Sequence, residues 1–100
     1  MITNFKIFES VYRLPKNGDY VLFDKEYIFG YTGDLNDGYY IGQLEYSDDD
    51  GYWLINVENI QKQFNSEREY LITHKRFKEC LYSENKEELE EMIKEKKYNL

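Results

Sequence analysis

Apolar and polar residues alternate with a period of two over several short stretches of this chain, and with a period near 3.6 only towards its end. Asn4 to Glu9 sets Phe5 and Ile7 on one side, the pattern of a short strand. Pro15 leads into a turn at Lys16-Asn17-Gly18-Asp19. Tyr20-Val21-Leu22-Phe23 is then apolar without a break, as in a strand buried on both faces. Asp24 to Gly38 is looser, with Gly30, Gly33 and Gly38 among Tyr27, Phe29 and Tyr31, and has room for a strand as well as a long loop. Tyr39 to Tyr46 and Tyr52 to Val57 are two clear strands, joined by Ser47-Asp48-Asp49-Asp50-Gly51, a polar hairpin turn ending in glycine. In the second of them Trp53, Ile55 and Val57 are expected to face the core, with Tyr52, Leu54 and Asn56 opposite. Asn59 to Arg68 is polar, with a helical turn expected around Ile60 and Phe64; Tyr70 to Thr73 and Phe77 to Tyr82 read as two more short strands.

The end of the chain changes period. Leu89, Met92 and Ile93 form one apolar stripe at helical spacing. Ser83 or Asn85 is placed to cap, and Asn85 with Glu88 fits a capping box. Glutamates crowd the first half and lysines the second, matching the helix dipole. The narrow stripe places this helix, about 85–97, against the side or open end of a barrel spanning about 4–82, in a single domain covering 1–100. The fold class is α+β, mainly β: a small, partly open antiparallel barrel of five or six strands with one C-terminal α-helix. Gly18-Asp19-Tyr20-Val21-Leu22-Phe23, then Ile41-Gly42-Gln43-Leu44, then Tyr52 to Val57, then Phe77 to Tyr82 resembles the SH3-like barrels in the order of its strands and glycines. The likeness covers about residues 18–82, and the extra first strand and the last helix depart from the minimal barrel. Fold likeness implies no function by itself.

Composition narrows the setting. Tyr supplies 11 residues and aromatics 18% of the chain, a proportion suited to half-buried strands and binding surfaces. Alanine is absent, and Asn, Lys, Ile and Tyr, with A/T-rich codons, are abundant, which hints at a low-GC bacterium or its phage. Cys80 is the only cysteine, so no intrachain disulfide and no cysteine cage for a metal can form, and a reducing interior is the natural setting. The opening MITNFKIFES lacks the basic flank and apolar run of a signal peptide, and no stretch is long enough to span a bilayer. The expected location is the cytoplasm.

The net charge of −7 is uneven: residues 34–58 alone carry seven acidic and no basic side chains. An acidic face is expected there, with a weaker basic one near His74-Lys75-Arg76 and Lys78. Phosphates would be repelled from the strands that bear the aromatics, so direct nucleic-acid binding is disfavoured. The oxygen-rich runs Asp34-Leu35-Asn36-Asp37-Gly38 and Asp48-Asp49-Asp50-Gly51 lack the alternating spacing of a calcium loop, and turn chemistry is the stronger reading of both. A Cys80–His74 nucleophile pair is a weak reading, since Cys80 lies in an apolar pattern and His74 in a basic turn. No catalytic residue, metal ligand or cofactor is assigned.

What remains is binding of a protein with a basic surface, such as a nucleic-acid-binding complex. Asp34, Asp37, Glu45, Asp48, Asp49 and Asp50 would supply the charge, and Tyr39, Tyr40, Tyr46 and Tyr52 the area, where they are not core. In size and charge the chain is similar to small acidic phage proteins of the anti-CRISPR and anti-defence type, which implies an inhibitor that mimics phosphates. The alternatives are an adaptor or assembly module, including a homodimer paired through a strand edge, and an acidic turn that only keeps the protein soluble.

Overall fold

The computed structural model describes residues 14–36, 38–59 and 64–99, the side chains of 95–99 aside. The strand expected at Asn4–Glu9, together with Asp37 and Ile60, lies outside these residues. Among the described residues, six antiparallel strands form one sheet: β1 (Tyr20–Asp24), β2 (Tyr39–Ser47), β3 (Gly51–Asn59), β4 (Phe64–Ser66), β5 (Tyr70–Thr73) and β6 (Leu81–Ser83). Its order is β4-β3-β2-β1-β6, with β5 also paired to β3, so among the described residues the two ends do not meet and the sheet is not closed. A helical turn, α1 (His74–Phe77), follows β5, and α2 (Lys86–Asn99) ends the chain.

Each strand with two apolar faces is sandwiched between two cores. Val21 and Phe23 of β1 point into the larger one with Tyr40, Leu44, Leu54, Val57, Tyr70, Ile72, Phe77, Cys80 and Tyr82. Leu22 points the other way and meets Ile41, Leu89 and Ile93 beneath α2. The unbroken apolar run at Tyr20–Phe23 is therefore explained as expected. Leu89, Met92 and Ile93 do form the packing stripe of α2. Asn85 caps that helix, its Oδ1 accepting from Glu87 N at 3.0 Å. The box is relayed rather than direct: Asn85 N donates to Ser83 Oγ, whose hydroxyl donates to the Glu88 carboxylate.

Three local expectations are corrected. Phe64 lies in a strand, β4, and not in a helical turn. His74–Phe77 is helical, capped by Thr73, so the last strand begins only at Leu81. In β3 the inward residues are Leu54 and Val57, while Trp53 and Ile55 turn outward. The cause is a bulge. Gln43 pairs with Ile55 but Ile41 pairs with Glu58, leaving one extra residue on β3, and Asn56 carries a φ of 53° there. A second irregularity between Leu44 and Tyr46 puts the extra residue, Glu45, on β2. At Gly42, beside these bulges, a Cβ would sit 3.0 Å from Val57 Cγ2 and 3.3 Å from Leu54 Cβ, so a larger residue would require those side chains to shift by a few tenths of an ångström.

Candidate functional site

The β2–β3 hairpin turn is built by Asp48. Its backbone exchanges hydrogen bonds with Gly51, and its Oδ1 accepts from Asp50 N at 2.9 Å. Gly51 has a φ of 149°, and a Cβ there would meet Ile72 O, so only glycine fits. Asp48 Oδ2 also accepts from the Trp53 indole Nε1–H at 3.0 Å. Trp53 in turn stacks on Tyr46, with ring centroids 6.1 Å apart and planes 19° from parallel. Tyr46 is 39% exposed.

Glu69, on the approach to β5, joins this group. It shares a hydrogen bond with Glu45, which raises the Glu45 pKa; lesser contributions come from burial and from the Glu69 charge. Burial, then the charges of Glu69, Asp48 and Glu45, raise the pKa of the Tyr46 phenol. Glu45, Asp48 and Glu69 thus ring one stacked aromatic pair. Among the described residues, none of Glu45, Asp48, Asp49, Asp50 and Glu69 takes part in an ion pair.

The other acidic residues are placed differently. Asp34 accepts from the Tyr70 hydroxyl and lies 4.0 Å from the Arg68 guanidinium, so it pins the 32–36 loop to β5. Glu58 pairs with Lys86 at the start of α2. Asp49 and Asp50 are exposed at the hairpin tip. The basic stretch adjoins that tip, since His74 Nε2 donates to the Asp48 carbonyl at 2.7 Å.

The tyrosines also divide. Tyr40 is 1% exposed, and its hydroxyl both accepts from Asn36 N and donates to Asn36 O, so it is a core residue that anchors a loop. Tyr52 packs against the larger core and stacks on Phe77 at 3.9 Å, with His74 edge-on at 5.0 Å. Tyr39 packs on the smaller core under α2. Of the four tyrosines expected to supply area, Tyr46 is the exposed one, while Tyr39 and Tyr52 are half-buried and Tyr40 is buried. Half-buried Trp53 and exposed Glu69, Phe29 and Tyr31 are not among the residues assigned to the binding face from the sequence. The bulge hid Trp53, and Glu69 lies in a segment whose summed charge is positive.

Cys80 is buried, and its thiol is pushed up to about 12, chiefly by burial, then by Glu79, with Arg76 opposing. It is therefore a protonated thiol at neutral pH, not a ready nucleophile. Among the described residues no group of three or more His, Cys, Asp or Glu is arranged to hold a metal ion. No helix among them is long and apolar enough to cross a membrane. No protein-family model, no curated protein and no solved structure matches the chain.

Proposed function

We propose that this protein is a non-catalytic protein-binding module. Its contact surface is the outer side of the β2–β3 hairpin and β5, and its partner presents a surface rich in Lys and Arg. One observation carries the reading: Glu45, Asp48 and Glu69 surround the Tyr46–Trp53 stack without an ion pair among the described residues, and Asp49 and Asp50 extend the charge to the tip. Surface carboxylates of this kind attract cationic partners at long range, and adjoining aromatics supply area once contact is made. Proteins that bind nucleic acid own such basic surfaces. A phage-type inhibitor of a host defence or nucleic-acid-handling complex, occupying a phosphate site, is the most specific form of the proposal. The SH3-like likeness enters only as its scaffold.

The test keeps Asp48, because its carboxylate holds the turn and the indole. Glu45, Asp49, Asp50 and Glu69 are reversed to Lys together, and affinity capture from a bacterial lysate is read by mass spectrometry. Basic partners captured by the wild type should be lost, with the melting temperature held within a few degrees. Their affinity for the wild type should fall steeply as salt is raised through the range where the Debye length drops from about 10 Å to about 3 Å. An unchanged partner list would overturn the reading.

The alternative, an adaptor or homodimer without inhibitory action, draws on the open sheet, whose path among the described residues ends at β4 and β6. Edge pairing would leave association insensitive to salt, which light scattering at low and high ionic strength distinguishes.

A further inference from the structure

The Tyr46–Trp53 face runs into a cleft of about 510 Å³ between the Ile28–Tyr31 segment and β5. That volume lies within the range of pockets that enclose small groups. Phe29 N donates to Leu71 O at 2.7 Å, which fixes one wall to the sheet edge while leaving its rings outside. Phe29 is 67% and Tyr31 65% exposed, far more than an aromatic ring needs for packing. Trp53 completes the aromatic lining, and Asp50 and Glu69 place carboxylates on the same cleft.

The molecule already shows what this lining accepts. The Arg68 guanidinium lies 4.9 Å from the Tyr31 ring centroid and 5.8 Å from that of Tyr70, with the Asp34 carboxylate 4.0 Å away. Ring, guanidinium and carboxylate are thus assembled once at the cleft wall from the chain's own residues. Phe29, Trp53, Asp50 and Glu69 line the same cleft, and while Arg68 there is held by Tyr31 and Asp34, neither Asp50 nor Glu69 is in an ion pair among the described residues.

We propose that the cleft takes an arginine side chain of the partner protein, its guanidinium stacked on the aromatic wall and paired with Asp50 or Glu69. This inference rests on the reading of the acidic face as a protein-binding surface and names the residue that surface would receive. Arginine is chosen over lysine because its planar fork can stack and pair with a carboxylate at once, whereas an ammonium is a compact, strongly hydrated charge. Asp50 and Glu69 disfavour an anionic group, against the single cation among the described lining residues, Arg68, which is already held by Tyr31 and Asp34.

Trp53 is the sole tryptophan, so its fluorescence reports on the cleft directly. The intact protein is titrated with N-acetyl-Gly-Arg-Gly-amide and with the matching lysine and citrulline peptides, the last being neutral but similar in shape. The arginine peptide should change Trp53 emission and shift the backbone amide signals of Gly30 and Leu71. Lysine should act more weakly and citrulline not at all. Phe29→Ala and Asp50→Asn, both at exposed side chains, should each weaken arginine binding by roughly two- to fivefold while leaving the melting temperature unchanged. Equal response to arginine and lysine, unaffected by either substitution, would overturn the proposal, as would no response to arginine. If arginine fails while lysate capture still depends on Glu45 and Asp49, which lie outside the cleft, the cleft reading alone is lost. If arginine binds but that dependence is missing, the acidic-face reading alone is lost.

Discussion

At the scale of single residues, burial decides which polar groups are structural. The Tyr70 hydroxyl sits between Ser66 Oγ and the Asp34 carboxylate, and its pKa is raised first by burial and then by Asp34. Cys80 shows the same effect more strongly, rising from 9.0 to about 12. A raised folded-state pKa means the folded thiol keeps a proton that the unfolded chain releases. The associated stability is therefore complete below about pH 9 and is lost as pH climbs towards 12, with a slope of at most about 1.4 kcal/mol per pH unit. Urea unfolding of the wild type and of Cys80→Val between pH 8 and pH 11 tests this. The stability of wild type relative to variant should fall as pH rises above 9, and a constant difference would contradict it. Thiol-reactive reagent at pH 8 should label the unfolded but not the folded protein.

At the scale of elements, β3 is the strand whose geometry sets the site. Its bulge lets Leu54 and Val57 both point inward although three positions separate them, and it turns Trp53 out to meet Tyr46. Asn56 tolerates a φ of 53°, as asparagine commonly does, and its Nδ2 donates to Gln43 Oε1 across the pair. Asn56→Val should cost about 1–3 kcal/mol in urea denaturation, because a β-branched residue is strained in the left-handed region. Asn56→Gly should cost much less, losing only an exposed hydrogen bond. Equal costs for the two variants would show that side-chain contacts, not backbone conformation, hold the bulge.

At the scale of the whole molecule, α2 and the hairpin divide the labour of one sheet. The helix packs on β1, β2 and β6 and closes the smaller core through Leu89 and Ile93, which frees the hairpin and β5 from covering that apolar surface. The Trp53–Tyr46 face can then stay outside the cores. Because β1 contributes to both cores, loss of helix packing should be felt everywhere. Leu89→Ala is expected to cost about 2–5 kcal/mol, and circular dichroism and Trp53 fluorescence should still report one coincident transition. Separate transitions would mean that α2 folds apart from the sheet.

Much of this was legible along the chain, since it depends on neighbours in sequence. An unbroken apolar run located β1, short strand-like patterns located β2, β3 and β5, Asp48 with Gly51 specified the hairpin turn, and the Leu89–Met92–Ile93 stripe with its charged halves specified α2. Only tertiary structure decided which faces those elements show. One inserted residue at Asn56 reverses the parity of a strand, and it is defined only by the register of pairing with a different strand, β2. Likewise, a count of charge along the sequence cannot tell that Arg68 comes to Asp34 and Lys86 to Glu58, while Glu69 comes to Glu45. Coulomb energy depends on distance in space, and strand order, not sequence separation, sets that distance.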